Sequence, residues 1–186
     1  MTKYPVLTLK PSADVHLRNR HHAIFRTAVD RLPACDDGVI VEVRSFKGDF
    51  LCYATWNSKA YICGRAISFE EGDPIKMLRT LIERSVVMRT AFFEREDTNA
   101  FRLINAEGDG IPGLIVDRYD SILAVQFTTL GMDNLRDWVV EVLRALCKPS
   151  GIFEKSGGSS RKKEGMVDKE GWIWGGGDTS IPRDGA

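Results

Sequence analysis

The chain has 186 residues, enough to bury one or two cores, and its 26 Lys/Arg balance 26 Asp/Glu to a formal net charge of zero. Hydrophobic residues make up 43% and charged residues 28%, ordinary values for a soluble protein, and no apolar run is long enough for a membrane-spanning helix. Met1-Thr2-Lys3-Tyr4-Pro5 has no signal-peptide pattern, so a cytoplasmic protein is expected. The zero average hides an asymmetry. Residues 1–66 hold ten Lys/Arg against six Asp/Glu and all three histidines, whereas residues 98–154 hold five against eight. A polyanion would meet the first part of the chain.

In chain order, Val6 to Leu9 is a short strand candidate, and Val15 to Leu32 reads as one helix or irregular segment. Gly38 to Arg44 and Phe50 to Ala54 read as strands around a Lys47-Gly48-Asp49 turn, with a further strand from Ala60 to Ile67. Short strands with polar turns predict a compact barrel over residues 6–69. Asp73-Pro74 starts a helix that runs towards Phe92 and ends in solvent at Glu94-Arg95-Glu96-Asp97. The second unit opens with a strand at 101–105. Asp109-Gly110 and Pro112-Gly113 are turn dipeptides, and Leu114 to Tyr119 with Ile122 to Phe127 flank a hairpin turn at Asp120-Ser121. Leu135, Trp138, Val139, Val142, Leu143 and Leu146 mark one helical face, with Asp133 placed as its N-cap. Gly151 to Glu154 is read as a final strand. From Lys155 onward eight of 32 residues are glycine, and Arg161-Lys162-Lys163-Glu164 looks like a solvated charge run. This tail is expected to be a linker without a core of its own, although Trp172 and Trp174 could dock on the body.

Three sets of residues could carry chemistry. His16, Arg18, Asn19, Arg20, His21, His22 and Arg26 crowd one segment, a pattern suited to phosphate contacts, and Phe25 or His22 could stack on an unpaired base. An ordinary polar helix face explains the same pattern as well. Arg44, Asn57, Lys59 and Arg65 lie on or beside the barrel strands and could extend a basic surface. Glu107, Asp109 and Asp117 could hold a divalent cation through oxygen, but their spacing is not that of an EF-hand, and turn shaping or pairing with a nearby cation is the commoner role. The four cysteines, Cys35, Cys52, Cys63 and Cys147, form no CxxC pair and read as free thiols. A two-residue turn at Asn57-Ser58 would set Cys52 opposite Cys63. No glycine-rich cofactor loop follows a strand and opens a helix, and Gly175-Gly176-Gly177 reads as loop.

The stretch Asn105-Ala106-Glu107-Gly108-Asp109-Gly110-Ile111-Pro112-Gly113, continuing to Asp117-Arg118-Tyr119, resembles the signature of the RlmI-like, PUA-containing ribosomal RNA large-subunit methyltransferases. Leu17 to Phe25, Tyr53-Ala54-Thr55-Trp56-Asn57, Gly151 to Ser156, Gly165 and Gly171-Trp172 extend the resemblance over nearly the whole chain. His22 stands where the family usually has proline, and Gly157-Gly158 where an Asp-containing segment is common. The resemblance implies an α+β protein: a PUA-like β-barrel over 1–72, a small central α/β domain over 73–155 and a linker over 156–186. The family's Rossmann-like methyltransferase domain, with its S-adenosylmethionine site and catalytic cysteine, is expected to be absent, because only 32 residues follow Glu154. None of the four cysteines matches the family's nucleophile.

The leading expectation is therefore an RNA-docking N-terminal fragment of a 23S rRNA cytosine-5 methyltransferase, binding no cofactor itself. RNA contact is expected from Arg18, Arg20, His21, His22, Arg44, Asn57, Lys59 and Arg65. A standalone RNA-binding adaptor and a divalent-metal hydrolase or sensor are the alternatives, and a homodimer stays open.

Overall fold

The computed structural model describes residues 4–93 and 98–176. Two separate apolar clusters organise them. The first is a curled six-stranded sheet formed by β1 (Val6–Leu9), β2 (Ala23–Phe25), β3 (Val29–Arg31), β4 (Ile40–Arg44), β5 (Phe50–Trp56) and β6 (Ile62–Ser68), in the order β2-β6-β5-β4-β1-β3. β1 runs parallel to β4 and antiparallel to β3. Leu7, Leu9, Val41, Val43, Cys52, Ala54 and Trp56 fill its interior, and Leu17 from α1 (Val15–Arg18) closes one side.

The second cluster belongs to a five-stranded sheet of β7 (Ala100–Asn105), β8 (Leu114–Tyr119), β9 (Ile122–Phe127), β10 (Gly151–Ser156) and β11 (Lys169–Gly175), ordered β11-β10-β9-β8-β7. Only β9 and β10 are parallel. A parallel pair needs a long crossover, here α3 (Leu130–Asn134) and α4 (Arg136–Cys147). The helix α2 (Pro74–Phe93) spans about 30 Å at 1.5 Å per residue. Asp73 Oδ1 accepts from the backbone N–H of Ile75 and Lys76, and Leu78, Ile82 and Val86 put one buried stripe against the sheet. Residues 94–97, read above as the solvent-exposed helix end, lie outside the described residues.

Four local expectations change. Residues 15–32 are not one helix: a single turn, α1, gives way to β2 and β3, each three residues long and formed by pairing with β6 and β1. Asp133 does not cap α4. It sits inside α3, whose N-cap is Thr129, while Leu135 precedes α4 without a side-chain cap. The β5–β6 connection is longer than two residues, so Trp56 faces Gly64 and the Asn57 N–H donates to Cys63 O. Cys52 instead lies across from Val43, and all four cysteines are free. The tail is also no linker up to residue 176: α5 (Ser159–Lys163) and β11 complete the second unit.

Two close approaches lock the chain. Gly113 has φ +90°, and a Cβ there would lie 2.1 Å from Thr129 Oγ1, so the turn after Pro112 requires glycine. At Gly131, a Cβ would lie 2.2 Å from Thr55 of β5. The first turn of α3 thus presses directly on the barrel sheet.

Candidate nucleic-acid interface

The cation-rich segment around α1 is exposed, but its arginines are engaged. Arg18 Nε donates to Asp14 Oδ2 at 2.6 Å and Arg18 Nη2 to Asp49 Oδ2 at 3.0 Å. The hydrogen bond from Arg18 holds the Asp14 carboxyl below its usual range and raises Arg18 in turn. Arg20 adopts φ +61°, donates to Glu70 Oε1 at 2.9 Å and lies over the Phe69 ring. His16 and His21 meet edge to face at 5.6 Å. His22 is half-buried, with Nδ1 2.6 Å from Ala66 O, and packs edge-on to Phe69. It belongs to the β2–β6 join more than to the surface.

The other expected RNA contacts divide between surface and seam. Arg44 closes its own turn, bonding Glu42 Oε1 and donating to Gly48 O. Lys59 is exposed at the β5–β6 turn. Asn57, expected on the surface, is only 4% exposed. Its Nδ2 donates to both Glu164 O and Glu164 Oε2, at 3.0 and 2.8 Å. Arg65 lies beside it, 3.3 Å from Glu107 Oε1 and 3.5 Å from Glu164 Oε1, with a buried Nε that has no hydrogen-bond partner among the described residues. Asn57 and Arg65 therefore join the barrel to the second unit.

The glycine-and-acid stretch is a scaffold. Asp109 takes Arg89 Nη2 at 2.8 Å and the Asn105 N–H at 2.6 Å. Asp117 is gripped by both Nε and Nη2 of Arg102, at 2.8 and 3.1 Å. Gly108 packs on Asn105, Gly110 turns the chain at φ +74°, Pro112 is buried, and Arg118 Nε donates to Asp120 O beside exposed Tyr119. Each of the three carboxylates thus has its own arginine, and no group of three metal-ligating side chains gathers among the described residues.

Sequence reasoning missed the most buried charge. Arg161, expected in a solvated run, has 0% exposure. Its Nη1 donates to Phe127 O at 2.6 Å and to Asp133 Oδ1 at 2.9 Å, and its Nε to Val167 O at 2.8 Å. Asp133 also accepts from Arg136 and Lys169, and Arg136 forks onto Glu154. Burial alone would raise the Asp133 carboxyl, but hydrogen bonds from Lys169, Arg161 and Arg136 outweigh it and hold the group below the usual carboxylate range. Charge count in a glycine-rich segment carries no signal of such burial.

Thiol nucleophilicity does not suit the cysteines of this chain. Burial raises all four thiols, Cys63 to about 11, which suppresses the reactive thiolate. A hollow of about 400 Å³ over the β9–β10–β11 edge is lined by Gln126, Lys155, Ser156, Asp168, Lys169 and Glu170. A second, of about 490 Å³, includes Trp174, whose ring is already covered by Arg144 at 4.6 Å.

Residues 7–69 match the family model of the PUA-like domain. The chain is 31% identical over 174 residues to ribosomal RNA large subunit methyltransferase I of Vibrio cholerae, covering 92% of this chain and 44% of that protein. It is 33% identical over 171 residues to the Alteromonas mediterranea protein of the same name, covering 90% and 43%. The chain thus spans less than half the length of these curated relatives. Among solved structures, SMU.776, named as a methyltransferase and solved with SAH, superposes with a TM-score of 0.77 at 20% identity, over 96% of this chain and 44% of that one. A Streptococcus mutans protein named for SAM-dependent methyl transfer gives 0.75 at 20% identity. At that identity the likeness is one of fold.

Proposed function

We propose, from the premise that residues 7–69 form a PUA-like domain in a chain homologous over nine-tenths of its length to ribosomal RNA large subunit methyltransferase I, that this chain is the RNA-docking part of an S-adenosylmethionine-dependent 23S rRNA cytosine-5 methyltransferase of the cytoplasm. The observation that carries this reading is that the similarity runs through both units, not the barrel alone. The units are also keyed together, through Gly131 against Thr55 and through Glu164 against Asn57 and Arg65. A seam of this kind would let a barrel that grips RNA set the position of whatever is attached to the second unit. In this reading the S-adenosylmethionine chemistry belongs to another part of the enzyme, and the raised thiols of the barrel support that division.

The test pairs binding with catalysis. The 186-residue chain is expected to bind 23S rRNA fragments in a salt-dependent way and to transfer no methyl group from labelled S-adenosylmethionine. Methyl incorporation into rRNA by this chain alone would sink the division of labour, and absence of RNA binding would sink the docking role.

A further inference from the structure

The cations around α1 are matched by carboxylates, but those at the opposite end of β2 are not. At that end Arg26 Nη1 donates to the carbonyl of Ser58, and Lys10 Nζ to the carbonyl of Thr27 at 2.9 Å. Lys59 is exposed beside them. None of the three has a carboxylate within ion-pairing distance among the described residues. Asp37, the acid bonded at this turn, is turned to the Ser58 N–H and hydroxyl. A carbonyl leaves an arginine's or lysine's full positive charge unneutralised, so this end of the barrel retains a field for an anion.

Two rings stand in that field. Tyr61, at the β5–β6 turn, is 66% exposed, and its centroid lies 5.6 Å from that of Phe25 on the edge strand β2, at 56° between planes. The backbone fixes this pair: the Arg26 N–H donates to Tyr61 O, and Phe25 is in register with Ile62. Exposure of so large a ring costs apolar surface that burial would recover. Unpaired nucleobases stack on such rings regardless of base identity, while flanking cations hold the backbone; bases within a duplex are not available to them.

We propose that Tyr61 and Phe25 form a stacking platform for an unpaired RNA base, with Lys10, Arg26 and Lys59 holding the flanking phosphates. This rests on the RNA-docking reading above and names the class of RNA and the place on the barrel. It favours a loop, bulge or single strand over a helix. A partner protein with an acidic surface would use the same cations but would gain nothing from a base.

The experiment is fluorescence anisotropy of the full chain against two labelled RNAs of equal length, a stem-loop with an unpaired loop and a blunt duplex. Tyr61→Leu keeps an apolar side chain at an exposed turn, and Tyr61→Trp restores a ring. Tyr61→Leu is expected to bind the stem-loop about tenfold more weakly, with an unchanged salt slope and unchanged duplex binding, and Tyr61→Trp to recover wild-type affinity. Lys59→Gln is expected to lower the salt slope on the stem-loop by about 0.7. Wild-type stem-loop affinity in Tyr61→Leu overturns the platform while leaving RNA docking intact. Equal loss on both RNAs also overturns it, since a base-stacking ring cannot act on a closed duplex. A wild-type chain that binds neither RNA overturns platform and docking reading together.

Discussion

Arg18 and Arg161 are the same residue type in opposite circumstances. Arg18 is an exposed cation held between two carboxylates, Asp14 and Asp49. Arg161 is wholly buried between α3, β9 and the turn before β11, with one carboxylate and two carbonyls as partners. The first arrangement holds little of the fold, because solvent screens an exposed pair and either partner can be rehydrated. The second is required once formed, because removing one partner strands the others away from water. In this chain the cation that shapes the molecule sits in the segment that looked dispensable, and the cations that looked functional are partly spent on their neighbours.

Arg161→Ala is the strongest way to break that contrast. It leaves Phe127 O without its donor and takes one of three cations from Asp133. A loss of about 3–5 kcal/mol in unfolding free energy is expected from urea denaturation. Arg18→Ala should leave the urea midpoint where it was. Equal midpoints for the two variants would mean that burial of Arg161 contributes nothing.

The second effect is one of pH. The Asp133 carboxyl lies below its ordinary 3.8 in the folded chain, so folding favours its ionised form. That contribution is fully present above the unfolded value and is lost as pH falls through the folded one. Urea midpoints should drop on acidification below about pH 4, and Asp133→Asn, though less stable at neutral pH, should show a shallower drop. An unchanged acid slope in Asp133→Asn would assign the acid sensitivity to other carboxylates. Asp14, also lowered, owes this to an exposed partner, Arg18, and is expected to add little to it.

These two regions also show which parts of the fold were legible in the sequence. Leu114–Tyr119 and Ile122–Phe127 match the reading residue for residue, because alternation and the Asp120-Ser121 turn are local signals. The helix from Pro74 was legible for the same reason: its cap and stripe lie within its own sequence. β2 and β3 were not, since three residues carry no period and become strands only by lying beside β6 and β1. Nor was the tail, where β11 exists by pairing with β10 and Arg161 is buried by contacts 28 and 34 residues away. At the candidate interface, composition located the basic barrel, but not which cations a carboxylate had already claimed. Asn57 and Arg65 illustrate that limit, because Glu164, which draws both into the seam, is about a hundred residues downstream.

The smallest expected effect is the one the sequence alone would have ranked first. Removing Arg18 and Arg20 together should weaken RNA binding and flatten its dependence on salt. The ion pairs to Asp14, Asp49 and Glu70 set the size. An arginine that must leave a carboxylate to meet a phosphate exchanges one anion for another, and the freed carboxylate then repels the RNA. The double variant should therefore lose less than the roughly one unit of slope per cation expected for free side chains. Removal of Asp14 and Asp49 should strengthen binding by releasing Arg18. A full two-unit loss of slope in Arg18→Ala/Arg20→Ala would mean that these pairs open on RNA and that the α1 face, not the Tyr61 end of the barrel, carries most of the contact.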